Sequence, residues 1–180
     1  MKFLFFVIFT FCVIGSVHAQ ELVLWKDSKT LKYGFSDQEG KIVIAPQYDL
    51  LKPARNGMWV AKVGKKYGLL TKGGKELIAP KYDSLRTFAD NLSQAKLADK
   101  WGFVSADGKE LVAPKYDAAD AHMEGMARVA VGGKFGFVDK AGAEVIAPQY
   151  DEAEAFKGGF ANVKLAGKAM IIDMTGKEKK

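Results

Sequence analysis

The chain has 180 residues, with 27 Lys and Arg against 21 Asp and Glu and a formal net charge of +6. A composition of 48% hydrophobic and 27% charged residues is that of a globular chain and excludes an intrinsically disordered one. One Cys (Cys12) and two His (His18 and His122) exclude a disulfide framework and a thiolate metal cluster and leave too few ligands for a His-based metal site or triad, so no metal or cofactor is expected.

The first element in chain order is an address. Met1-Lys2 is a basic start, and Phe3 to Ile14 is apolar except for Thr10. Gly15-Ser16 breaks the run, and Val17-His18-Ala19 offers a cleavage site. This layout reads as a secretory signal over 1–19, leaving 20–180 as an exported chain, periplasmic or secreted. The apolar run falls well short of the roughly 20 residues of a spanning helix, which argues against an uncleaved anchor. Phe9-Thr10-Phe11 before Cys12 does not suit a lipoprotein site.

Beyond the signal the sequence repeats every 34 residues without an insertion. Gly34, Gly68, Gly102 and Gly136 form one series, and Pro46, Pro80, Pro114 and Pro148 another. Tyr48, Tyr82, Tyr116 and Tyr150 keep the same interval, each followed by Asp. Lys32, Lys66, Lys100, Lys134 and Lys168 do so too, as do Gly40, Gly74, Gly108, Gly142 and Gly176. The full units are 32–65, 66–99, 100–133 and 134–167, with partial ends at 21–31 and 168–180.

Each unit reads as three short strands. In the third, Lys100 to Val104 is the first strand and Ser105 to Gly108 a turn, whose opening Ser bonds the turn's own backbone while Gly108 tolerates positive φ. Lys109 to Tyr116 is the second strand, in which Pro114 marks a bulge, an edge or an end. A connection from Asp117 to Gly125 follows, with Asp117 suited to cap a helical turn. Met126 to Val131 is the third strand, with alternate apolar positions. One such unit is too small to dry its own face, so neighbours must stack. The expected fold is all-β, a tandem of three-stranded antiparallel meanders in an open solenoid-like stack, with a closed propeller-like ring as the alternative. The ends differ from the body: at 169–170 the aromatic and Gly of the body become Ala169 and Met170, and Lys177 to Lys180 is a solvated tail that discourages edge pairing.

The block KWGFVSADGKELVAPKYD, Lys100 to Asp117, resembles the WG (KWG) repeat family, and the resemblance extends from about Glu21 to Gly176. Only Trp101 keeps the name-giving residue; Tyr33, Tyr67 and Phe135 replace it. The resemblance implies an exported or modular repeat protein that acts as a binding or structural module, and it brings no catalytic motif.

The residues offer little chemistry. The Asp of each Tyr-Asp pair recurs with identical neighbours, as structure requires, whereas a catalytic pair is unique. His122 stands where the adjacent units have Phe88 and Phe156, so a packing role outweighs a ligand or base role. The series Tyr33, Tyr67, Trp101, Phe135 reads as core rather than as a stacking platform for sugars or bases. Gly73-Gly74-Lys75 and Gly132-Gly133-Lys134 lack the spacing of a phosphate loop. The Lys series offers either an anion-attracting stripe or simple solvation and edge protection. An exported chain with so small a charge excess is not expected to meet nucleic acid.

The function expected is a non-enzymatic binding or scaffold module for protein or envelope polymers, recognising through the unlike connections at 50–56, 84–91, 118–125 and 152–158. A glycan hydrolase using carboxylates such as Asp120 or Glu124, and a passive spacer, are the alternatives.

Overall fold

A computed structural model describes residues 22–54, 57–86 and 92–179. The signal segment, Phe88 and the ends of the 50–56 and 84–91 connections, 55–56 and 87–91, lie outside the described residues.

Among the described residues, eighteen strands form five antiparallel sheets that follow one another along the chain. The first holds β1 (Val23–Lys26), β2 (Tyr33–Ser36) and β3 (Ile42–Tyr48). The second holds β4 (Leu50–Pro53), β5 (Trp59–Val63), β6 (Lys66–Leu70) and β7 (Glu76–Tyr82). The third holds β8 (Ser84–Leu85), β9 (Leu92–Leu97), β10 (Lys100–Ser105) and β11 (Glu110–Tyr116). The fourth holds β12 (Ala118–Ala119), β13 (Met126–Val131), β14 (Lys134–Asp139) and β15 (Glu144–Tyr150). The fifth holds β16 (Glu152–Ala153), β17 (Phe160–Leu165) and β18 (Lys168–Asp173). The all-β tandem meander is therefore the fold.

Two details differ from the sequence reading. The stretch after each Tyr-Asp is a short strand rather than a helical turn, which gives the interior sheets a fourth strand. Each sheet also joins the second half of one repeat to the first half of the next: β13 pairs with β14 across the unit boundary, whereas β11 and β13 lie in different sheets. The reason lies in turn lengths. Gly132-Gly133 is a two-residue hairpin with both φ positive (57° and 77°), so the third strand folds directly back on the next first strand.

The core lies between sheets. Phe103, Val112 and Tyr116 of the third sheet pack on Ala119, Ala127, Val129 and Val138 of the fourth. The other three adjacent pairs make the same kind of cluster, as in Phe35, Tyr48, Leu51, Ala61 and Leu70 between the first and second. Adjacent positions on the first strand thus serve opposite faces: Phe103 faces the following sheet and Val104 the preceding one. Among the described residues no cluster joins the fifth sheet to the first, and the array is an open stack.

The Gly series has a steric cause. Trp101 pairs with Tyr116 and Phe103 with Val112, so three residues on β11 oppose Gly102 alone. The bulge formed by Ala113-Pro114 passes over Gly102, where an added Cβ would lie 2.3 Å from the Val112 carbonyl oxygen and 2.8 Å from the Pro114 nitrogen. The other three first-strand glycines are crowded in the same way, with added Cβ atoms 2.3–2.4 Å from a carbonyl oxygen. Met170 takes this place on β18, where Glu178 is bridged to Ile172 and the Lys179 N–H donates to the Ile171 carbonyl.

Candidate functional site

The recurring polar residues hold the array together. Asp117 stands at the corner between sheets. One of its oxygens accepts from the Lys100 ammonium at the start of the first strand, and the other from the Gly132 N–H in the next hairpin, at 2.7 Å. Asp49, Asp83 and Asp151 repeat this with Lys32, Lys66 and Lys134 and with the N–H groups of Gly64, Ala98 and Ala166. The ammonium partner first, and the backbone N–H with it, hold each carboxyl below its ordinary range. The Lys stripe therefore carries a carboxylate at every step, since Lys168 pairs with Glu178 at 3.0 Å.

The tyrosines make the second tie. Tyr82 donates its hydroxyl to Glu110 in the following sheet at 2.5 Å, and Tyr116 donates to Glu144 at 2.7 Å. Lys81 and Lys115 join these carboxylates at 3.2 and 3.0 Å. Burial first, then the carboxylate, pushes both phenols above their ordinary value, and the phenol hydrogen bond draws each Glu down. Where Gln47 and Gln149 replace the Lys, no such ion pair forms among the described residues. The sequence carried the signal in Glu76, Glu110, Glu144 and Glu178, also 34 apart, but without coordinates nothing linked that series to a phenol 28 residues earlier.

The aromatic series is half-buried at the margin of the cores, each ring beneath a cation. Lys26 covers Tyr33, Lys62 covers Tyr67, Arg86 and Lys96 cover Trp101, and Arg128 covers Phe135, at 4.3–5.9 Å. These faces are therefore occupied by the protein's own side chains.

The two singled-out carboxylates also have structural partners. Asp120 accepts from Nε and Nη2 of Arg128, each at 2.8 Å, and a third guanidinium nitrogen reaches the Ala153 carbonyl in the next sheet. Glu124 clasps the N–H groups of Gly158 and Gly159 in the following unit, both at 2.8 Å, and these bonds lower its pKa. His122 meets Phe103 edge-to-face at 5.0 Å, as Phe156 meets Phe137 at 4.7 Å, and its Nε2 lies 3.1 Å from the Asp139 carbonyl oxygen. Among the described residues, no group of three or more His, Cys, Asp or Glu converges on a metal-sized site.

What recurs is consumed by the architecture, and what is left open lies between hairpins. A cleft of about 650 Å³ opens between the second and third sheets, with Met58, Leu77 and Ala106 as apolar lining and Lys72 and Asp107 among its polar residues. None of these was singled out by the sequence as a site, and Lys72 and Ala106 hold the same place in the repeat with unlike side chains.

The fold and its ties define a class, a tandem β-repeat module in which successive sheets are pinned by Asp–Lys and Tyr–Glu contacts. The model for the WG containing repeat matches residues 33–67, 67–101, 101–135 and 135–168, and the chain belongs to that family. No curated protein matches it. Solved structures similar to it include a eukaryotic initiation factor, at 12% identity and a TM-score of 0.45 over 89% of this chain and 51% of that one. Kluyveromyces lactis Hsv2 is similar at 8% identity and a TM-score of 0.41, over 90% and 60% of the two chains. The extracellular domain of the putative one component system BT4673 from B. thetaiotaomicron is similar at 10% and 0.33, over 88% and 29%. The chain spans about half the length of two of the solved chains it is similar to, and likeness at this level says nothing of function.

Proposed function

We propose that the protein is an exported, non-enzymatic module that binds or scaffolds protein or anionic cell-envelope polymers. The observation that carries this reading is the division of labour among its residues. Every recurring Asp, Lys and Tyr lies in a strand or corner of the sheets, while the segments that differ between units, 118–125 and 152–158 among them, begin with the short edge strands β12 and β16. A rigid array that repeats its frame and varies its connections presents unlike loops at a fixed spacing, the arrangement by which repeat scaffolds bind. Export rests on residues 1–19 alone. No chemistry is assigned to Asp120, whose Oδ2 is held by Arg128, or to Glu124, whose two oxygens are held by the Gly158-Gly159 backbone.

The test is a low-salt pull-down from envelope extracts with the wild-type protein and a variant whose 118–125 connection is replaced by the sequence of 152–159. The replacement keeps length and register. A retained polymer or protein that the variant holds less well supports the reading. Retention of nothing by the wild type removes the binding role and leaves the spacer.

A further inference from the structure

We propose that the cleft between the second and third sheets is a binding site for a small amphipathic anion, an apolar body carrying one sulfonate, phosphate or carboxylate head. This deepens the binding-module reading by naming a ligand class, and it stands on different residues from the connections above.

One small side chain stands on the wall of the cleft. Ala106 occupies the second position of the hairpin between β10 and β11. The same position two units on is Met174, which is half-buried against the core of the fourth and fifth sheets. Met174 packs on its interface, whereas Ala106 borders the opening of about 650 Å³ beside Met58 and Leu77. Met58 is 6% exposed, so the apolar lining reaches into the core cluster of this interface rather than resting on its surface.

The lining carries one cation, Lys72, and one carboxylate, Asp107, and their partners differ. Asp107 spends its Oδ1 on its own hairpin, where it takes the Ser105 hydroxyl and lies 3.4 Å from the Lys109 N–H. Ser105 and Thr71 likewise turn their hydroxyls to their own hairpins, Ser105 toward the Lys109 carbonyl and Thr71 to the Lys75 N–H. Lys72 forms no ion pair among the described residues, while its methylene stem lies along Gly57, close enough that an added Cβ there would fall 3.2 Å from Cδ. A held stem with an unspent ammonium beside apolar lining fits an anion attached to an apolar body. The same two features separate it from the Lys of the corner series, each of which already has its carboxylate.

The probe is 1-anilinonaphthalene-8-sulfonate, titrated by fluorescence into the native protein, with circular dichroism confirming that each variant stays folded. Wild type is expected to bind about one probe per chain saturably, and more weakly as salt is added. Lys72→Ala should weaken binding about tenfold, or about 1.4 kcal/mol. Ala106→Met, which installs the side chain that Met174 already places in the equivalent hairpin, should weaken it at least as much without touching the charge. Lys140→Ala, the same hairpin position one sheet on, should leave it unchanged. Binding that survives Ala106→Met, or that falls equally with Lys72→Ala and Lys140→Ala, overturns the site. Failure here leaves the pull-down result standing, and an empty pull-down with Lys72-dependent probe binding removes the polymer while keeping the cleft.

Discussion

Gly102 shows how one residue type can be required by backbone alone. Its φ is not positive; what excludes a side chain is the bulge of β11 lying across it. Gly102→Ala is expected to destabilise the protein by about 2–3 kcal/mol, since the obstacle is backbone and cannot rotate away. Gly132→Ala meets nothing within 4 Å and has only its φ of +57° to strain it, so about 1 kcal/mol is expected. Urea midpoints of the two variants give the order. The tyrosines allow a similar comparison. Tyr116→Phe removes a hydroxyl bonded to Glu144 and should cost about 1–2 kcal/mol, whereas Tyr150→Phe, whose hydroxyl has no partner among the described residues, should be nearly neutral. The recurrence of these residues was legible in the sequence, and so was their structural character. Their reasons were not, because each depends on a partner 10 to 28 residues away that only the bulge and the sheet-to-sheet step bring near.

Between elements, the aromatic that seals each interface has more than one source. Phe156 and His122 come from connections and meet Phe137 and Phe103. The first interface has Ala54 at that position, and the ring on Phe35 comes instead from Trp59 of β5, at 5.2 Å and 68° between ring planes. Trp59 stands where the later units have Ser93, Ala127 and Ala161. A small loop residue and a large strand residue have thus exchanged places. Trp59→Ala is expected to lose about 3 kcal/mol of stability, and Ala54→Phe in that background to recover part of it while destabilising the wild type; a double-mutant cycle by denaturant titration measures the coupling. The strands and the first hairpin were readable because alternation and turn residues act locally. The short strands β8, β12 and β16 were not, since two residues carry no period and their pairing is decided by the neighbouring third strand.

Over the whole molecule, stability follows nearest neighbours. Removing 100–133, one complete repeat, should leave a cooperative four-sheet protein with a lower melting temperature. Removing 117–133 alone, half a repeat, would set β11 directly against β14 and should abolish the cooperative transition in circular dichroism. The corner carboxylates add a pH limit. Asp49, Asp83, Asp117 and Asp151 ionise more readily in the folded chain than their ordinary value of 3.8 allows, so their stabilisation is complete above that value and is lost as pH falls through the lowered ones. Acid unfolding is therefore expected below about pH 4 with uptake of protons, read together by circular dichroism and potentiometry, and Asp117→Asn should shift less of it than the fourfold change. None of this whole-molecule behaviour could be taken from one repeat, because the unit that recurs in sequence is not the unit that folds.

The half-repeat offset between sequence copies and sheets also bears on how such a chain can grow. A newly duplicated stretch owns no sheet; it arrives as two halves, each completed by the old chain at one seam. Every in-phase duplication therefore rebuilds familiar joints on both sides and creates no foreign one, whichever residue the copying started from. Lengthening and shortening by whole periods are structurally silent at the break points, and selection is left to act on the loops.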